Sequence, residues 1–292
     1  MTQSDNGLQF FNHPDGQLAY RDEGQGDTIV FVHGTPTSSL EYVGLINRLK
    51  GNYRCLAMDH LGFGGSDKPK DADYSIQAHT SRLKSFLSEQ PAGAFHLVLH
   101  DFGGVIGLPL ALQESSRIRS LTIINSWAWP LIETEPQMKS QLWILRSAMM
   151  KWLYLNMNFS PKVLLKMAWG KHAPLTKEKH KAYQDAFKSR DERQGLLAFR
   201  DVLLDFNQPC WGIKHELSKL TPLPIYLAWG MNDPLISPRN LDRWISMFPS
   251  AKVSRFEKVG HFVADEGEEL LAPELVTFLQ QACYLQMTLL RS

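Results

Sequence analysis

The stretch LVLHDFGGVIG, residues 97–107, ends an apolar, strand-like run in the polar pair His100-Asp101. Glycines follow at once, at positions 103, 104 and 107, where a helix begins. A strand that turns this tightly into a helix carries Asp101 at the tip of a sheet. The flanking segments say which kind of sheet. Upstream, LQFFNH (8–13) and QLAYRDE (17–23) flank the turn Pro14-Asp15-Gly16 and read as a hairpin. TIVFVHG (28–34) is a buried strand, SSLEYVGLINRLK (38–50) has helical apolar spacing with Ser38 or Ser39 as cap, and YRCLAMD (53–59) is a strand again. Helix 75–90, strand 96–100, helix 103–115 and strand 120–125 continue the rhythm. Strands alternating with helices need crossover connections, so the fold class is α/β. The sheet is mostly parallel, with the early hairpin as its antiparallel edge.

The rhythm stops after Asn125. From Trp127 to Lys219 the sequence shows helical spacing only, in QMKSQLWILRSAMMKWLYLNM, SPKVLLKMAWG and KEKHKAYQDAFKSRDERQGLLAFRDVLL. Strands resume with LPIYLAWG (223–230) and KVSRFEKV (252–259), around a helix at 238–248 and before a last helix near 268–282. The expected organisation is a core of residues 1–126 and 220–292, with an all-helical cap, 127–219, over the carboxyl ends of the strands. That edge is where open α/β sheets bind ligands.

Composition narrows the function. Charged residues make up 21% of the chain and the net charge is +1, which gives no electrostatic case for nucleic acid or an anionic membrane. The basic run KHAPLTKEKHK (171–181) reads as a solvated helix face. Cys55, Cys210 and Cys283 lack metal-ligand spacing, and such scattered thiols suit a reducing cytoplasm. The N-terminal MTQSDNG has no apolar signal core, and no run is long enough to span a bilayer. No metal or organic cofactor is implied.

The loops after the strands carry the chemistry. They are HGTP (33–36), DHLGFGGSDKP (59–69), Asp101, WGMNDP with Asp233, and VGHF with His261. Nucleophile position, acid and histidine follow in the chain order of the α/β-hydrolases, on a strand–turn–helix elbow. Rival readings are weaker. Asp101 could serve only as the N-cap of the following helix. DFG also occurs in kinases, but no glycine-rich ATP loop or HRD motif accompanies it. GFGGSD (62–67) lacks the third glycine of a dinucleotide fingerprint. His33 and His100 read as buried, hydrogen-bonded histidines, and Asp59 as a turn stabiliser.

With HGTP, LGFGGSDKP, HDFGG, WGMNDP and LDRWISMFPSAKVSRFEKVGHFVADE together, residues 8–280 resemble the aspartate-nucleophile branch of the α/β-hydrolases. That branch holds haloalkane dehalogenases and epoxide hydrolases. The closing stretch is most similar to the dehalogenase subgroup that shades into β-lactone decarboxylases. Another subgroup carries a glutamate after the sixth strand, where this chain has Asn125; the resemblance therefore points to Asp233 as the acid.

A carboxylate at the elbow suits displacement at a saturated carbon. An aspartate is ionised at neutral pH, since its reference pKa is about 3.9. Attack would leave an alkyl ester on Asp101. His261 would activate water to cleave it, with Asp233 orienting the imidazole. The backbone N–H groups of Thr35 and Phe102 are the candidates for the oxyanion. Departures from the family concern the leaving group. Dehalogenases usually follow the nucleophile with Trp and carry HGNP, two donors for a halide; here Phe102 and Thr35 stand in those places, and Ser38 stands where Trp often follows. Trp127, Trp129, Trp143 or Trp169 could replace the indole. Epoxide hydrolases use two cap tyrosines, for which Tyr154 and Tyr183 are the candidates. The expectation is a dehalogenase-like hydrolase of a small hydrophobic substrate. An epoxide hydrolase or β-lactone-processing enzyme with the same triad is the alternative, and a silent binder of a hydrophobic ligand is a third. Oligomeric state is not legible.

Overall fold

Eight strands build one sheet: β1 (Leu8–His13), β2 (Gly16–Glu23), β3 (Asp27–Val32), β4 (Tyr53–Met58), β5 (Phe95–His100), β6 (Ile118–Ile124), β7 (Ile225–Gly230) and β8 (Lys252–Phe256). The computed structural model describes the backbone of residues 7–289 and the side chains of residues 7–284; the polar stretch MTQSDN lies outside the described residues. The strand order is β1-β2-β4-β3-β5-β6-β7-β8. β1 and β2 are antiparallel, β2 joins β4 antiparallel, and every later pairing is parallel. This is the mostly parallel sheet with a hairpin edge that the alternation of elements implies.

The helices are α1 (Val43–Leu49), α2 (Ile76–Glu89), α3 (Phe102–Gln113), α4 (Met138–Leu145), α5 (Ala148–Met157), α6 (Leu165–Ala168), α7 (Lys177–Asp185), α8 (Gln194–Leu204), α9 (Pro238–Met247), α10 (Val263–Glu266) and α11 (Glu268–Leu289), joined in places by short 3-10 or π turns. β5 is buried along its whole length, because helices cover both faces of the sheet. Its side chains alternate between two cores. Leu97 and Leu99 pack with Leu83 and Phe86 of α2 and Val105 and Ile106 of α3. Val98 packs with Leu45 and Ile46 of α1 and Leu271 and Leu275 of α11.

Several elements are shorter than their periodicity suggests. Helix 38–50 is a 3-10 turn, Ser39–Tyr42, followed by α1; Ser38 is the cap, its hydroxyl accepting from Leu40 N. The apolar run 137–157 is two helices, because the Ser147 hydroxyl caps Met150 N and starts α5 anew. Strand 252–259 ends at Phe256, where Val259 N turns back onto the Phe256 carbonyl. The last helix begins at Glu268 as expected but is longer, running to Leu289, and the short α10 precedes it across Gly267. Between β6 and β7 all the regular elements are helical. These helices lie against the loops at the carboxyl ends of the strands: Phe187 meets Phe63, and Phe199 stacks on Phe102 with ring centroids 4.5 Å apart. No helix of the described residues is long and apolar enough to cross a membrane.

Candidate active site

Asp101 sits between β5 and α3 with φ 51° and ψ −126°. A non-glycine residue rarely adopts a positive φ, and such strain persists only where the surroundings impose it. The side chain makes no capping hydrogen bond to α3, so the N-cap reading does not describe it. The backbone N–H of Thr35 donates to its Oδ1 at 2.8 Å. Two glycines make room. A Cβ on Gly34 would lie 2.1 Å from Asp101 Oδ1, and one on Gly103 would lie 2.0 Å from the Val32 carbonyl oxygen. Ser126 holds the elbow from β6's side, its hydroxyl donating to the Asp101 carbonyl at 2.6 Å.

His261 and Asp233 arrive from the ends of β8 and β7. His261 Nε2 is 3.2 Å from Asp101 Oδ2, and His261 Nδ1 is 2.7 Å from Asp233 Oδ2. The first contact is an ion pair without hydrogen-bond alignment, since Nε2 has no hydrogen-bond partner. All three side chains are buried. Burial pulls the His261 pKa down, but the Asp233 and Asp101 carboxylates outweigh it and raise it to about 10. Burial pushes the Asp101 carboxyl up, and His261, with lesser help from His100 and the Phe102 N–H, holds it below the ordinary carboxylate value. Each group thus favours the charged form of the other.

Two further residues fix this set, and sequence reading did not assign either a role. Asn125, at φ 34°, donates from its amide to Asp233 Oδ2 at 2.7 Å and to the Gly230 carbonyl at 3.1 Å, and accepts from Gly230 N at 2.8 Å. It thereby ties β6 to the acid on β7's loop, whose Oδ1 also accepts from Leu235 N and Ile236 N. Glu41 lies buried with its carboxylate 3.0 Å from His100 Nδ1, and His100 Nε2 is 2.9 Å from the His261 carbonyl oxygen. The only signal for Glu41 in the sequence is an acid on an apolar helix face, which pattern alone leaves ambiguous.

The remaining candidates separate. Tyr183 donates to Asp265 Oδ2 at 2.6 Å, so its hydroxyl is engaged there. Tyr154 is buried in the same apolar cluster as Phe102 and Trp127, packed on Phe159. Trp129 donates to Asn240 Oδ1 and Trp169 to the Ala173 carbonyl, while Trp143 is exposed. Trp127 differs: it meets Phe102 edge-on at 5.1 Å, and its buried Nε1 has no partner. Thr35 Oγ1 is likewise buried and unpartnered. His33, His60 and Asp59 serve the neighbouring turns: His60 N donates to His33 Nε2, and Asp59 accepts from Ser39 N and Gly65 N. At the opposite, amino-terminal end of the strands, Asp27, His96 and Cys283 bring potential ligand atoms within 4.8 Å of one another, a grouping that sequence spacing conceals. Asp27 is also paired there with Arg119.

Known proteins of this shape can now be compared. The chain is 30% identical over 280 residues to a cis-3-alkyl-4-alkyloxetan-2-one decarboxylase of Shewanella oneidensis, covering 93% of this chain and 88% of that protein. It is 26% identical to haloalkane dehalogenase 2 of Mycobacterium bovis, covering 92% and 93% of the two chains. The crystal structure of a haloalkane dehalogenase from Bradyrhizobium elkani superposes with a TM-score of 0.86 at 20% identity, over 96% of this chain and 99% of that one, which speaks for the fold. The model of the alpha/beta hydrolase fold matches residues 27–268. A match of that length, with a relative aligned along nearly the whole chain, establishes that this protein belongs to the α/β-hydrolase fold family.

Proposed function

We propose that the protein is a haloalkane dehalogenase-like hydrolase working through an alkyl ester on Asp101. One observation carries the reading: the two oxygens of Asp101 have different surroundings, Oδ1 on the Thr35 N–H and Oδ2 facing His261. Oδ2 is the attacking atom. Its bond to a saturated carbon forms as the bond to the leaving group breaks, and the leaving group departs with the electron pair. Water then attacks the ester carbon. Oδ1 becomes the oxyanion, held by the N–H groups of Thr35 and Phe102. His261 takes the proton from water, and Asp233 stabilises the imidazolium. As the intermediate collapses, the imidazolium gives its proton to the departing alkoxide and His261 takes the proton of the new carboxylic acid, so the alcohol leaves and the carboxylate is restored. Alkylation itself prepares the second step: it removes one of the two negative charges that raise the His261 pKa, so the imidazolium gives up its proton to solvent and the neutral base is available for water.

The helical segment 127–219 acts as a cap on the core of residues 1–126 and 220–292. Phe199 and Trp127 beside Phe102 support an apolar roof, suited to a small hydrophobic substrate rather than a nucleic acid. The three free cysteines suit a reducing cytoplasm. Neither Phe102 nor the short Thr35 side chain is a strong halide donor, and the unpartnered Trp127 indole is the replacement we assign.

The same departure favours a second reading, opening of a β-lactone, as in the Shewanella oneidensis relative. There the leaving group is a carboxylate that stays within the substrate, so a paired halide cradle is unnecessary. An epoxide is less well served, because Tyr183 is committed to Asp265. A panel of bromoalkanes, epoxides and β-lactones, with halide release and product mass measured separately, distinguishes these. Halide release with alcohol formation supports the first reading. Alkene or hydroxy-acid formation from lactones alone would replace it with the second.

A further inference from the structure

A net charge of +1 conceals a segregated distribution. Residues 136–177 contain Lys139, Arg146, Lys151, Lys162, Lys166, Lys171 and Lys177 and not one Asp or Glu, which leaves −6 for the rest of the chain. All six lysines are exposed. None of them forms an ion pair among the described residues, whereas the exposed Lys50, Lys84, Lys181 and Lys219 each do. Large apolar side chains stand out among them. Trp143 is 74% exposed, Met149 65%, Met167 63% and Trp152 54%, with Ile144, Met157 and Val163 also exposed. Met149 and Trp152 share one face of α5 at i,i+3 spacing, and Val163 and Met167 share one face of the 160–168 turn at i,i+4. The opposite sides of these elements are normal core: Tyr154, Leu155, Leu165 and Ala168 are buried.

A surface helix of a free monomer carries polar residues on its outer side. Exposed apolar side chains in number mark something that covers them. The company they keep selects the occupant. Protein–protein interfaces are depleted in lysine. Tryptophan with lysine, without acids, is the composition of a helix lying in the plane of a membrane: the indoles sit at the headgroup level, the apolar side chains enter the acyl boundary, and the lysines pair with anionic lipid. We propose that the outer face of residues 138–167 is a peripheral docking surface for an anionic bilayer. The expectation of no membrane partner rested on the whole-chain charge and on the lack of a spanning run, neither of which addresses a local surface of this kind. Resting on the proposed function, one consequence follows for the site. α5 carries Trp152 outward and Tyr154 inward, into the cluster that holds Phe102 and Trp127. A docked cap would take an apolar substrate directly from the lipid.

The test is sedimentation of the full-length protein with vesicles of phosphatidylcholine alone, or of phosphatidylcholine with one quarter phosphatidylglycerol, at low and high salt. Partition into the anionic vesicles, weakened by salt and accompanied by a blue shift of tryptophan emission, is the expected result. The pair Lys162→Gln with Lys166→Gln weakens partition about 25-fold, at about fivefold per lysine. Trp143→Ser with Trp152→Ser abolishes the blue shift. Lys70→Gln with Lys84→Gln, outside the segment, changes neither. All of these positions are exposed, so melting curves of the variants should match that of the parent. Absence of binding to anionic vesicles overturns the proposal, as does binding lost equally in the control pair. Self-association by light scattering that disappears in the tryptophan variants, with no vesicle binding, would assign the face to a second copy of the chain instead. None of these readouts depends on turnover, so they stand apart from the catalytic reading.

Discussion

At the scale of the residue, the two steps place opposite demands on ionisation. Alkylation needs Asp101 charged, and its pKa is held low. Hydrolysis needs His261 neutral, although at rest its pKa is raised to about 10. Because the folded value lies above the unfolded one, about 6.5, the ion pair contributes stability fully below that value and loses it as the pH rises through about 10. Asp101→Asn mimics the neutral ester. In that variant a histidine NMR titration should show His261 with a lower midpoint than in the parent; an unchanged midpoint would mean Asp101 does not govern it. Trp127→Phe keeps a ring of similar shape and deletes the orphaned N–H. Loss of a hydrogen bond to a charged group costs about 1.5–3 kcal/mol, so leaving-group release should slow roughly ten- to a hundredfold at similar melting temperature. Full release rates in that variant would remove Trp127 from the site. Asp101, Asp233 and His261 were legible as a group, because each is a polar residue closing an apolar strand. Asn125 and Glu41 were not, because what they do depends on tertiary contacts across 108 and 59 residues of chain.

At the scale of the element, the strand–helix rhythm made the sheet readable, while element ends were set by interactions that periodicity does not contain. The apolar spacing of 137–157 runs through the break at Ser147, and only the cap bond to Met150 N shows that a new helix begins. At the elbow the steric demand is sharper still. Gly34 precedes the Thr35 N–H that binds Asp101, and any Cβ there would collide with the carboxylate. Gly34→Ala should therefore reduce alkylation at least tenfold while circular dichroism keeps its parent form. Undiminished alkylation would show that Asp101 does not need this position. A helix cap offers a cleaner energetic check. The Ser75 hydroxyl accepts from Ala78 N at the start of α2. Ser75→Ala should cost about 1 kcal/mol in urea unfolding, with no change in activity.

At the scale of the whole molecule, the helical segment and the core are joined by polar contacts at two seams, one around Glu135, which accepts from Ser237 N and Asn240 Nδ2, and one around Glu266. Glu266 of α10 accepts from Gly260 N, Gly170 N and His172 N. His261 N donates to the Ala168 carbonyl beside it. His261 is thus anchored to the helical segment between β6 and β7. Glu266→Ala leaves three N–H groups to find other partners, and unfolding should be easier by about 2 kcal/mol or more. A loss below half of that would mean water replaces the carboxylate there. Whole-chain totals were the least informative level of the sequence. A charge near zero averages a cationic stretch, residues 136–177, with an acidic remainder.

The claim on which the rest depends is a covalent alkyl ester on Asp101. It is tested by intact-protein and peptide mass spectrometry of His261→Ala after exposure to a primary alkyl bromide, with Asp101→Ala beside it. Removing the base leaves the first step possible and blocks the second. The expected result is an added mass equal to the alkyl group, on the peptide that contains Asp101, and no adduct or turnover in Asp101→Ala. An adduct on another residue, or alcohol formation by Asp101→Ala, would contradict the mechanism.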